Sequence, residues 1–356
     1  MLLRKELLPW LLVLDQIREG EDMNIVKKLK SQREFMICII VIGVFVIMTF
    51  ASPYFLNSGN LLALLLGLSV ETIIAVAMTN LMVSGGFDMS VGSIVAFAGA
   101  SSALLVVNHT PVLIAVIAGV IIGALIGLFN GIIISVIGIN PFVTTLASLS
   151  LFRGLTLIIT KGNNVSGLSV PFKALGQAQF LGIQMPIWYA VILVIVCDIL
   201  LRKSRFFRQN YYIGGNEKAA RLSGISVNKI KILNYVLTGA LAGFAGVVMT
   251  ARLGSASVTA GTGLELKVIT AVIIGGASLQ GGEGTVIGAF LGSLLMALIT
   301  NALTLLGVDV YWQTFVIGAV LLIAVLIDRI DKIRKEKQAL YQKGESKLCN
   351  IQVTKG

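Results

Sequence analysis

The chain is a succession of ten apolar stretches, most close to 20 residues long, and nearly all of its charge is collected in the breaks between them. The stretches fall at 35–52, 61–83, 91–108, 112–137, 141–160, 186–201, 231–252, 264–277, 285–306 and 311–328. A helix rises 1.5 Å per residue and the hydrocarbon core of a bilayer is about 30 Å thick, so about 20 apolar residues make one crossing. The pattern predicts an all-α, polytopic membrane helix bundle of about ten transmembrane helices. The stretches at 91–108 and 264–277 are short and interrupted by glycine, which leaves re-entrant or half-helical forms open for both.

Composition agrees. Only 13% of the 356 residues are charged, about half the roughly 25% usual in a soluble domain, and the mean hydropathy is +0.92. The net charge of +11 is unevenly placed. Residues 1–34, 202–231 and 329–356 carry seven, eight and eight Lys or Arg, which is 23 of the 28. With ten crossings all three segments fall on one side, and the positive-inside bias makes that side cytoplasmic. The expected organisation is a cytoplasmic N-terminal segment over 1–34 and a transmembrane domain over 35–328. A cytoplasmic loop at 202–230 interrupts that domain, and a basic cytoplasmic tail follows at 329–356. The basic residues are not interleaved with aromatics on one face, so membrane topology and lipid explain them and nucleic acid does not. Within 1–34, "LLPWLLVL" (7–14) is too short to span and is followed by the acidic run "DQIREGED". Met23 is the expected start, with 1–22 an extension or an interfacial helix.

Cys38, Cys197 and Cys349 are scattered and His109 is the sole histidine, which argues against a zinc site or a disulfide framework. The sequence lacks GxxxxGK[ST], GxSxG and HExxH. No enzyme chemistry is expected, and energy for any uphill transport must come from elsewhere.

Lipid offers apolar helices no hydrophobic reason to associate, so small residues that permit close backbone approach carry weight. Gly119, Gly123, Gly127 and Gly131 form a stripe at four-residue spacing, and Gly239/Gly243 and Gly288/Gly292 repeat the device. Such stripes predict a tight bundle without naming a solute. Residues 85–99 and 275–292 share a Gly-Gly, a polar interval with one acid (Asp88, Glu283) and a small-residue segment. That likeness suggests an internal repeat with broken helices.

Each ionisable group inside a bilayer is a functional candidate because its burial is costly. Glu71, Asp88 and Arg153 are such groups, and Asn80, Asn130, Asn140, Thr144, Thr145 and Asn301 add neutral hydrogen-bonding capacity. This set is the candidate translocation pathway and suits a neutral polyhydroxylated solute. Structural alternatives stand beside it: a Glu71–Arg153 pair, Asp88 as cap of a helix starting near Ser90, and packing roles for the asparagines.

Several blocks carry a resemblance. "NEKAARLSG" (216–224), with Glu217, Ala219, Ala220, Arg221 and Gly224, resembles the EAA-type element of ABC-importer permeases. "SGGFDMSVGS" (84–93), "FRGLTLIITKG" (152–162), "ARLGSASVTAGTGLEL" (251–266), "IIGGASLQGGEGTVIGAFLG" (273–292) and "NALTLLGVDVYWQ" (301–313) resemble, in order, the ribose/xylose-type sugar permease family. The resemblance implies a permease subunit of a simple-sugar importer in the cell membrane. Its partners would be a separate ATPase subunit that binds ATP and Mg, a second permease subunit, and an extracytoplasmic sugar-binding protein. It implies that this chain carries no cofactor, that Glu217–Gly224 is the ATPase-coupling helix, and that loops 161–185 and 252–263 meet the binding protein. The 1–22 segment and the charge of Glu71 depart from the family pattern. An autoinducer-2 or amino-acid permease, or a proton-coupled sugar carrier using Glu71 or Asp88, are the alternatives.

Overall fold

The computed structural model describes residues 33–309, 311–330 and 333. The expectations for residues 1–32 and for most of the 329–356 tail lie outside these. The helices are α1 (Arg33–Ala51), α2 (Ser58–Val83), α3 (Val91–Val107), α4 (Val112–Ile132, continued by a π turn over Ile133–Ile137), α5 (Pro141–Thr160), α6 (Val170–Gln177) and α7 (Met185–Lys203). They continue with α8 (Arg205–Gly215), α9 (Glu217–Leu222), α10 (Val227–Leu253), α11 (Leu264–Ile274) and α12 (Val286–Leu305), and α13 (Tyr311–Ile330). A two-stranded hairpin pairs Gln179 with Gln184 between α6 and α7.

Eight of these helices are long and apolar enough to cross a membrane. The two stretches that looked weak in the sequence are the two short ones: α3 has 17 residues and α11 has 11. Eleven residues reach only about 16 Å, roughly half a hydrocarbon core. The chain on either side of it is irregular, and membranes tolerate such backbone only where protein or a water-filled cavity satisfies it.

The glycine stripes explain how the bundle closes. Those of α4 and α10 face one another: a Cβ at Gly123 would collide with Gly239 O, one at Gly127 with Tyr235 O, and one at Gly243 with Gly119 O. The third stripe, on α12, packs on α11, where a Cβ at Gly288 or Gly292 would strike the carbonyl of Gly275 or Ala271. Around these contacts α2 contributes Ile73, Ile74 and Met78 to a core shared with Ile94 and Val95 of α3, Ala242 and Ala245 of α10, and Val268 and Val272 of α11. Helices α1, α7 and α13 surround this core with largely exposed apolar faces.

The two glycine-rich breaks that looked alike in the sequence touch. Gly282 N donates to Val83 O at 2.8 Å, and a Cβ at Gly281 would come within 2.8 Å of Gly85 N. Gly214 of α8 abuts both, since a Cβ there would run into Val83 O and Gly282 N.

Candidate functional site

The segment between α7 and α10 folds as two short helices. Asn216 opens α9 by accepting from Ala219 N at 3.0 Å through its side chain, an ordinary N-cap. Gly224, with φ +82°, ends it, a backbone conformation that costs a residue with a Cβ. Glu217 accepts from Arg221 Nη2 at 2.8 Å and from Lys231 Nζ at 2.6 Å, and Arg221 also donates to Asn228 Oδ1 at 2.7 Å. Burial pushes the Glu217 carboxyl up, but Lys231 and Arg221 outweigh it and hold the group below the ordinary carboxylate value. Ala220 is buried against Ile213, Val227 and Ile230, whereas Ala219, Arg221 and Gly224 are exposed. Leu222 is 90% exposed. Beside α9 lies a hollow of about 530 Å³, lined by Tyr211, Tyr212, Ala219, Ala220 and Ser223 among others. Of the five residues singled out in the sequence, Glu217 and Ala220 fix α9 to the bundle. The other three are presented outward.

A buried polar chain crosses the adjoining part of the bundle. Asp88 is fully buried, and its Oδ1 accepts from Ser90 N at 2.7 Å and Ser90 Oγ at 2.6 Å. Asn130 Nδ2 donates to Ser90 Oγ at 3.0 Å and to Asp88 Oδ2 at 3.4 Å, and Ser148 Oγ donates to Asn130 Oδ1. Asp88 thus organises the backbone one residue ahead of α3. Ser148 was missed in the sequence and Ser90 was read only as the start of a helix, because nothing in one dimension marks a serine as completing a network.

The other candidates scatter. Thr145 Oγ1 bonds back to Pro141 O within α5, Asn140 caps α5 by accepting from Phe142 N, and Asn301 pairs with Asn60 at 2.7 Å. Asn80 Oδ1 and Thr144 Oγ1 are buried without a hydrogen-bond partner. The suggested Glu71–Arg153 pair does not form. Arg153 instead donates to the carbonyls of Val258 and Ala260 at 3.1 and 2.7 Å. Glu71 faces Lys267 at 3.7 Å. Arg153 is drawn to the irregular chain ahead of α11 because that chain's carbonyls need donors. Lys267 was overlooked as a partner, although a lone lysine in an apolar segment is itself a signal.

At the opposite end of α10 from α9, the loops 161–184 and 254–263 are joined. Val165 and Ala256 form a bridge, Val258 N donates to Asn164 Oδ1 at 3.1 Å, and Gln177 Nε2 donates to Arg252 O at 3.0 Å. Val170 and Leu181 project from this surface, 76% and 77% exposed. Among the described residues, no cluster of three or more His, Cys, Asp or Glu could hold a metal.

Known proteins resemble this chain along most of its length. Residues 60–325 match the family described as branched-chain amino acid transport system / permease component. The ribose import permease protein of Bacillus subtilis is 44% identical over 80% of this chain and 89% of its own. An L-arabinose ABC transporter permease protein of Azospirillum brasilense is 38% identical, covering 82% and 86%. The D-allose transport system permease protein of Escherichia coli is 35% identical, covering 83% and 90%. No solved structure matches. The extent of the family match, the identity to near full-length permeases and the eight membrane-crossing helices agree, and this chain belongs to that permease-component family as a multi-pass membrane protein.

Proposed function

We propose that the chain is the membrane-spanning subunit of an ABC importer for a simple sugar of the pentose or hexose class. The observation that carries this is the identity of 35–44% to permeases named for ribose, L-arabinose and D-allose, each matched over at least 86% of its own length. Three different sugars among the relatives leave the particular sugar open.

In this reading a separate ATPase subunit binds ATP and Mg and receives α9 in a surface cleft. The outward residues Ala219, Arg221 and Leu222 make the contact, while Glu217 and Ala220 transmit its motion to α10 and α8. Two permease subunits form the pathway. An extracytoplasmic sugar-binding protein docks on the joined loops 161–185 and 252–263, where exposed Val170 and Leu181 supply apolar anchors. Nucleotide binding closes the ATPases and turns the bundle to face the loaded binding protein; hydrolysis resets it. Asp88, Asn130 and Ser148 form a buried polar chain beside this moving junction.

The test is uptake of labelled ribose, L-arabinose and D-allose by cells that depend on this permease, with branched-chain amino acids as competitors. Uptake of at least one sugar that is lost on Leu222→Asp is expected. Amino-acid uptake with no sugar uptake would overturn the reading.

A further inference from the structure

A cavity of about 220 Å³ with mixed polar and apolar walls sits between α2, the end of α10 and the start of α11. Its walls include Gly67 and Glu71 of α2, Arg252 of α10, Thr262, and Lys267 of α11. Three charged side chains from three helices therefore converge on one space within the apolar bundle. Holding them there is costly unless they are used or tightly paired.

They are not tightly paired. Glu71 Oε1 and Lys267 Nζ stand 3.7 Å apart, with side chains only 13% and 25% exposed. That is an ion pair but too long for a direct hydrogen bond. Two other pairs close fully, at 2.6 Å for Lys231–Glu217 and 2.9 Å for Arg202–Asp198, whereas the more exposed Arg202–Glu34 contact stays at 4.0 Å. Arg252 donates to Leu66 O at 2.8 Å, which leaves most of its five N–H donors uncommitted to side chains. The cavity also reaches Leu264, the first residue of the broken helix α11. Gly67 forms an open wall: a Cβ there would meet nothing within 4 Å.

A hydroxyl group can accept from Lys267 or Arg252 while donating to Glu71, so it bridges a gap that the pair leaves open. The carboxylate disfavours an anion and offers an acceptor usable only by a ligand that carries donors. We propose that Glu71, Lys267 and Arg252 form a subsite that reads the hydroxyl pattern of the transported solute, a neutral polyol such as a monosaccharide. The inference rests on the sugar reading above and adds to it a specificity-determining site inside the permease.

The experiment uses the assembled transporter in cells and reads the ratios of ribose, L-arabinose and D-allose uptake, with membrane abundance of the permease measured alongside. The delivery protein stays constant, so a changed ratio belongs to the permease. Glu71→Gln and Lys267→Gln should each change the ratios by about tenfold, the scale of one hydrogen bond to a charged group. The swapped pair, Glu71→Lys with Lys267→Glu, keeps the ion pair but exchanges acceptor and donor, and it should not restore the original ratios. Gly67→Val, which narrows the cavity from its open wall, should reduce hexose uptake more than pentose uptake. Original ratios in the swapped variant would overturn the proposal, because the pair would then only hold two helices together. So would unchanged ratios in all variants. A wild-type transporter that takes up none of the sugars would overturn the sugar reading first and this inference with it.

Discussion

Tyr211 donates its hydroxyl to the carbonyl of Gly284 at 2.7 Å, and this bond joins the helix before α9 to the loop before α12. Asn234 adds a second tie, donating to Asn210 Oδ1 at 2.9 Å and Ser84 Oγ at 3.1 Å. Helix α8 is therefore fastened to both glycine-rich breaks, so the element that leads into α9 is tied by contacts to the loops ahead of α3 and α12.

Tyr211→Phe removes one neutral hydrogen bond and should cost about 1 kcal/mol of stability. The protein should still accumulate in the membrane. ATPase activity should become less dependent on sugar delivery, a change read by comparing ATP hydrolysis with sugar uptake in reconstituted vesicles. Coupling equal to wild type would show that this bond transmits nothing.

Gly123→Leu should abolish accumulation in the membrane. A Cβ at that position already collides with Gly239 O, and backbone cannot yield as a flexible side chain can. Gly43→Leu is the control, since a Cβ there meets nothing within 4 Å, and its abundance should match wild type. Immunoblots of membrane fractions decide it.

These glycines mark what the sequence disclosed and what it withheld. Stripe spacing is local, so the faces were legible on each helix. Which stripe meets which depends on how segments more than a hundred residues apart are laid together. The length of each apolar stretch likewise located the eight helices able to cross a membrane and singled out 91–108 and 264–277 as short, because span length follows from bilayer thickness. Partners of charged groups obey no such rule. Glu71 could be placed in its helix, but its choice of Lys267 over Arg153 follows from where α11 begins. Asn140 reads as a pathway group in one dimension, yet in three it caps its own helix.

The ion pairs of Glu217 give a pH dependence with a definite sign. Its folded-state pKa is depressed by Lys231 and Arg221 against the upward push of burial, so its contribution is present above the ordinary value of 4.5 and is lost as the pH falls through the lower, folded value. Thermal unfolding of wild type and Glu217→Gln should differ by a constant amount from pH 8 to about pH 5 and converge in acid. The side chain is 40% exposed, so solvent screening limits the difference to roughly 2 °C. A difference that grows in acid would have the wrong sign.

Asp88 offers the sharpest test because its neighbours are all donors or donor-capable. Ser90 N, Ser90 Oγ and Asn130 Nδ2 point at its two oxygens, and the site is closed to solvent. Asp88→Asn keeps the shape but places an NH2 group where Asn130 already presents one, so the new donor faces another donor, while Asn130 keeps Ser90 Oγ as its acceptor. The loss should be about 1–3 kcal/mol. Adding Asn130→Asp restores the complement: the new amide at 88 donates to the new carboxylate at 130, which still accepts from Ser148 Oγ. The double variant should regain most of the stability, measured as thermal unfolding of the purified protein in detergent. Sugar uptake then separates two roles. If Asp88 serves only to organise the start of α3, uptake returns with stability. If the carboxylate at position 88 itself serves transport, the double variant folds yet remains slow. Should Asp88→Asn unfold at the wild-type temperature, the donor-filled network around this carboxylate would have no energetic weight.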